Sequence, residues 1–210
     1  METKNMKTWT PTQDEMKKRI ARFKDIVPVA RKHTEEKGIP AEVFELITAR
    51  TTRNIMSPSA MPGQMAPSPH VVGGDAGVFR LGIATCPPGN GPGLHVHFKT
   101  HETFMALTGR WECHWGDHEE EVTVLEPFDL LACPPAVARR FINISDADAH
   151  LLVIVQGERD EFDDIDRLHS TAQAVAKKYG QEMVEKMESF GWRFNLGRDS
   201  SEELHKLAKT

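Results

Sequence analysis

The chain of 210 residues has only three cysteines, Cys86, Cys113 and Cys133, and no C-x-x-C pair. That odd, widely spaced set indicates neither a zinc ribbon nor a disulfide framework, and reduced, mostly buried thiols are expected. Long apolar runs are also missing. The longest aliphatic stretch, LLVIV at residues 151–155, is far shorter than the roughly 20 residues that span a bilayer. The N-terminus has no apolar core of a secretory signal, so a cytoplasmic protein without a membrane partner is expected. Nor is there a dense Lys/Arg stripe: 26 basic residues stand against 31 acidic ones, for a net charge of −5. A general polyanion binder is excluded on that balance, and nucleic acid is not an expected partner. No internal repeat or low-complexity tract stands out.

What is present fits a soluble globular chain, 39% hydrophobic and 27% charged, long enough to bury a core without staples. Residues 1–55 read as a helical extension. Thr10 can cap a helix, with Pro11 at its first position and Gln13 completing a capping box. Met16, Ile20, Phe23 and Val27 then form one apolar stripe, and a second helix near Pro40 places Val43, Phe44 and Ile47 on one side. Residues 56–70 carry prolines and small residues that cannot sustain a helix or a central strand, and read as a linker or arm. From 71 to 158 short strand-like segments alternate with Gly/Pro turns, which predicts an antiparallel sandwich or barrel. Residues 159–210 return to helix, with segments 170–180, capped by Ser170, then 181–191, and a short final one at 201–209. The fold class is therefore mainly β with flanking helices.

The most specific stretch is GLHVHFKTHE at residues 93–102. His95 and His97, two apart on a strand, point to one face, whereas Leu94, Val96 and Phe98 take the other. After a turn, Glu102 brings a carboxylate back beside them. Two imidazoles and one carboxylate form the facial set used for non-haem Fe(II), with positions left open. Mn, Ni, Co or Zn could use the same ligands, because affinity order alone does not select the ion.

The spacing Gly89-x5-His95-x-His97-x4-Glu102-x6-Gly109 resembles the first motif of the cupin superfamily at every diagnostic position, with the resemblance extending over about residues 71–157. It implies a double-stranded β-helix of jelly-roll type, a divalent metal on His95, His97 and Glu102, and a homodimer in which the helices and arm take part. The second motif departs from the family's pattern. In FDLLACPPAVARRFIN, Asp129, Pro134 and Asn143 match. Phe128 and Ala136 stand where glycines are usual, and Arg139 stands where a fourth, histidine ligand is usual.

Strand alternation points Arg139 inward, and three readings follow. The metal keeps the triad and Arg139 binds a substrate anion; His101 or His114, or less directly His150, replaces the missing ligand; or Arg139 pairs with Glu102 in place of an ion. His101 is otherwise an exposed residue, an acid/base or a group supporting the ligands. Trp111 and Trp115 either floor a pocket or pack the barrel, and His118 sits in a solvated turn. The leading functional reading is a metal-dependent enzyme acting on a small anionic molecule, with an Fe(II) dioxygenase, an oxidoreductase, as first choice. A metal-dependent isomerase or decarboxylase is the alternative within that class. A non-catalytic small-molecule sensor is the reading from another class.

Overall fold

The computed structural model of the chain describes residues 8–58, 71 and 79–197. The Pro-rich arm after residue 58 and the helix expected at 201–209 lie outside the described residues. Helix α1, Gln13–Lys17, is capped by Thr12, whose hydroxyl accepts from the Glu15 amide in a capping box. The cap is thus Thr12 rather than Thr10, because Glu15 is the acid that reaches back to the cap's own amide. The stripe of Met16, Ile20, Phe23 and Val27 remains exposed, since the helix ends after five residues and the chain turns away. Helices α2, Val29–Lys37, and α3, Ala41–Ile47, follow, and α3 buries Val43, Phe44 and Ile47 as the pattern predicts.

Among the described residues ten strands come next: β1 Thr51–Met56, β2 Phe79–Cys86, β3 His95–His97, β4 His101–Ala106, β5 Trp111–Trp115, β6 Glu121–Leu125, β7 Leu130–Cys133, β8 Arg139–Asn143, β9 Ala149–Gln156 and β10 Ile165–Arg167. They form two five-stranded antiparallel sheets, ordered β1-β2-β9-β4-β7 and β10-β3-β8-β5-β6. Residues 51–55, read from sequence as helical, are strand. Their Thr51 and Thr52 favour a pleated edge, and β1 pairs antiparallel with β2. Strand β10 likewise lies in a stretch read as helix, and it pairs with β3.

The two inner faces share one core. Phe104 of β4 meets Phe141 of β8 with ring centroids 3.9 Å apart, and Trp111, Cys113, Leu125, Leu151 and the other two cysteines fill the space around them. Trp111 is wholly buried there and donates to the Thr108 carbonyl, so it packs the barrel. A second core joins α2 and α3 to α4, His169–Tyr179, and α5, Gln181–Ser189, around Trp192 and Phe194. Leu168 takes the cap position of α4 without a side-chain bond, so Ser170 is not the cap. The helices from both ends of the chain therefore make one layer. The Gly93 amide donates to the Ile47 carbonyl, and Asn90 bonds Glu45 and Thr48, which docks α3 beside the sheets. No described helix is long and apolar enough to cross a membrane.

The motif positions have backbone reasons. Gly109 has φ +70°, and a Cβ there would lie 2.6 Å from the Ala149 side chain. Phe128 and Ala136, where the family has glycine, also hold positive φ, at 75° and 62°. The turn geometry is kept without the residue that suits it, at roughly 1–2 kcal/mol each. Ala136→Gly should raise stability by about 0.5–1 kcal/mol after the greater flexibility of the unfolded glycine is set against that relief. A urea midpoint that stays put or falls would contradict this.

Candidate metal centre and its cavity

Strand pairing sets two rows of side chains against each other. On one sheet, Arg167 of β10, His95 of β3, Arg139 of β8 and Trp115 of β5 are direct cross-strand partners and share a face. On the other, Arg80 of β2, Val155 of β9, Glu102 of β4 and Cys133 of β7 do the same. Glu102 thus projects from the opposite sheet onto the two histidines. Its Oε2 lies 3.2 Å from His95 Nε2 and 3.4 Å from His97 Nε2. Among the described residues, His95, His97 and Glu102 are the one group whose ligand atoms gather within 4.8 Å.

The far side of each imidazole determines what the near side offers. His95 Nδ1 is 2.6 Å from the Gly93 carbonyl, which only accepts, so Nδ1 carries the proton and donates. His97 Nδ1 is 2.9 Å from Asp164 Oδ1. Asp164 is itself fixed as an ionised acceptor by the amides of Lys99 and Thr100 and by the Thr100 hydroxyl. Burial pushes its carboxyl up, but His97 and these donors hold it well below the usual range. Both Nε2 atoms are therefore lone pairs aimed at a carboxylate oxygen, and His97 Nε2 is buried without a hydrogen bond. Three acceptors converging in a buried space repel one another unless a cation joins them. The donor set thus fits a divalent ion.

Arg139 supplies part of that cation. It is fully buried, and its Nε and Nη2 donate to Glu102 Oε2 at 3.2 and 3.0 Å, while Nη1 donates to the Val137 carbonyl at 2.9 Å. Burial opposes the ionised form of Glu102, yet the neighbouring His97 imidazole, the Arg139 guanidinium and the His95 contact bring its pKa well below the ordinary value. The geometry is that of the ion-pair reading, and the guanidinium faces Glu102 rather than open space. His95 is pushed down to about 4, first by burial and then by the Arg139 charge, against the opposing pull of Glu102. The folded protein keeps His95 neutral while the unfolded chain protonates it near 6.5. Between these values the unfolded state binds more protons, so the metal-free protein should lose stability as pH falls from about 6.5 to about 4, by about 3 kcal/mol. Denaturant midpoints of chelated protein at about pH 7, 5.5 and 4.5 check this, and a flat series would contradict it.

The other histidines are not brought in. His101 is exposed on the outer face of β4. His114 points away from the core and meets Glu112 at 3.1 Å, and His150 bonds the Thr85 hydroxyl. No replacement ligand comes from these three. The triad opens into a cavity of about 80 Å³ lined also by Arg80, Arg167 and Asn54, with apolar Ile47, Phe104, Val153 and Ile165. Neither Arg139 nor the two tryptophans line it. Sequence reasoning missed Arg80, Asn54, Asp164 and Arg167. Arg80 had a signal, since Arg80, Gly82, Ala84 and Cys86 alternate on one face of β2.

The cupin-domain family matches residues 82–155, the stretch that carries the triad and the whole of β3 to β8. Residues 82–155 are therefore a cupin domain, and the two facing antiparallel sheets have the mainly β arrangement expected of one. Similar solved structures include the TT1209 protein of Thermus thermophilus, with 25% identity and a TM-score of 0.35 over 38% of this chain and 72% of that one. A cupin protein from Bacteroides fragilis has 22% identity and a TM-score of 0.34 over 38% and 65% of the two chains. A double-stranded β-helix protein from Klebsiella pneumoniae has 22% identity and a TM-score of 0.36 over 39% and 70%. No curated protein sequence matches the chain significantly.

Proposed function

We propose that this chain is a metal-dependent cupin enzyme acting on a small anionic molecule, with an Fe(II)-type dioxygenase reaction as the leading choice. One observation carries the metal: two proton-free Nε2 atoms, one of them without any hydrogen bond, face the ionised Glu102 in a buried space. A divalent ion there would supply Lewis acidity or, as Fe(II), the means to engage substrate and dioxygen together. The chain's own residues do the rest. Gly93 and Asp164 hold the imidazole tautomers, Arg139 steadies Glu102, and Ile47, Phe104, Val153 and Ile165 keep the cavity apolar. Arginines in the wall give it the charge to hold an anion. A metal-dependent isomerase or decarboxylase would use the same groups, because one fold supports many reactions.

A second reading has its own observation. Arg139 already neutralises Glu102, which favours a metal-free binding or sensor protein. Metal analysis of the full chain purified without chelator separates the two. The enzyme reading expects about one divalent ion per chain, lost in His95→Ala and His97→Ala. Folded wild-type protein that takes up no ion when dialysed against Fe(II), Mn(II) or Zn(II) would overturn it.

A further inference from the structure

Four groups meet on one atom, Glu102 Oε2. Arg139 Nε and Nη2 donate to it, and the Nε2 atoms of His95 and His97 face it at 3.2 and 3.4 Å. An oxygen that already accepts two N–H groups of a cation has less of its charge to give an ion. Arg139 is fully buried, and its Nη1 is engaged by the Val137 carbonyl, so the guanidinium cannot turn away without losing three hydrogen bonds.

The buried charges around the triad come close to cancelling before any ion enters. Glu102 and Asp164 are negative, and Arg139 is positive. Arg167 lies under the opposite charge of Asp166 and stacks on Trp192, so it adds nothing to that count. A divalent ion on two neutral imidazoles and Glu102 would therefore leave a positive charge uncompensated in a space shielded from water. A charge on Arg80 would only enlarge the excess. His95, His97 and Glu102 all line the cavity, so the positions that three ligands leave open face it, beside apolar Phe104, Val153 and Ile165. Arg139 does not line it. A molecule in the cavity can thus touch the ion but not this guanidinium.

We propose that the site takes its divalent ion together with a small monoanion, a short carboxylate by the apolar walls, and that Arg139 couples the two. The coupling rests on the metal-dependent reading above. The anion restores neutrality from the cavity side, while Arg139 draws on Glu102 from the other. Each of the two ligands then tightens the other by the same factor. Hydroxide from solvent is the rival monoanion, and with it ion affinity would not depend on an added carboxylate.

The test titrates the full chain calorimetrically with Mn(II) in sodium perchlorate of one ionic strength, with acetate, with acetamide or with neither, allowing for the Mn(II) that acetate binds in solution. Acetate should tighten Mn(II) binding by at least about tenfold, and acetamide, equal in shape but uncharged, should leave it unchanged. Mn(II) should tighten acetate binding by the same factor as acetate tightens Mn(II). Arg139→Lys keeps the charge and should keep the coupling. Arg139→Met removes it, and its Mn(II) affinity should differ by less than about threefold between acetate and perchlorate. If Arg139→Met fails to fold, the wild-type titrations and Arg139→Lys still decide the matter. Equal Mn(II) affinity with and without acetate would overturn the coupling and leave the enzyme reading standing, because the ion is bound. Coupling that survives Arg139→Met, or acetate that binds the metal-free chain as tightly as the loaded one, would also overturn it. A folded chain that takes up no Mn(II) in any of the three solutions would overturn both.

Discussion

Arg139→Met should destabilise the metal-free protein by about 3–5 kcal/mol, the cost of leaving a buried carboxylate without its cation. Methionine fills much of the volume, so little of the loss would come from a cavity. What disappears is two hydrogen bonds to Glu102 Oε2 and one to the Val137 carbonyl from a side chain with no solvent exposure. The carboxylate would then face two imidazole lone pairs with nothing to offset it, and its affinity for a proton would rise. Two controls follow from that cause. Glu102→Gln combined with Arg139→Met should recover much of the loss, because the uncompensated charge has gone. A divalent ion at about a hundred times its dissociation constant should add about 2.7 kcal/mol to the single variant. Urea unfolding of the three proteins, with and without metal, measures all of this. A single variant within about 1 kcal/mol of wild type would mean that Glu102 is not held by Arg139.

The inward turn of Arg139 was legible because strand alternation is strict over ARRFIN, and the triad because its spacing crosses a single short turn. The strands from 79 to 156 were legible for the same reason, with Gly or Pro in most of the connections between them. Arg80 was not, although it lies in one of those strands. Leu81 and Ile83 look like the core-facing set of FRLGIATC, whereas the inner face carries Arg80, Gly82, Ala84 and Cys86. Small residues line that face because the cavity is there, so hydrophobicity points the wrong way next to a binding space. Strands β1 and β10 escaped for another reason. Three to six residues give too little alternation to outweigh helical neighbours, and β10 takes its place only through partners distant in sequence, such as Arg193 on the Ile165 carbonyl. Phe128 and Ala136 show the reverse. They stand where the family has glycine, yet both hold positive φ, so these two turns keep the backbone geometry that glycine would take.

Asp164 carries the other large effect, from a position beyond the cupin-matched residues. Asp164→Ala removes the acceptor for His97 Nδ1, the Lys99 and Thr100 amides and the Thr100 hydroxyl. Several buried donors lose their partner at about 1–3 kcal/mol each, and metal affinity should fall about 10–100-fold as His97 loses its orientation. Asp164→Asn separates the two losses. Its amide oxygen can still accept from the backbone amides, but its NH2 group then faces His97 Nδ1. That donor would turn Nδ1 into an acceptor and move the ring proton to Nε2, the atom that should bind the ion. Asn should therefore spare most of the stability and still weaken metal binding at least as much as alanine does. Ring 15N chemical shifts of the metal-free protein report the tautomer directly, with His97 protonated on Nδ1 in wild type and on Nε2 in Asp164→Asn. If the asparagine variant binds Mn(II) or Zn(II) like wild type, Asp164 holds the loop and not the ligand.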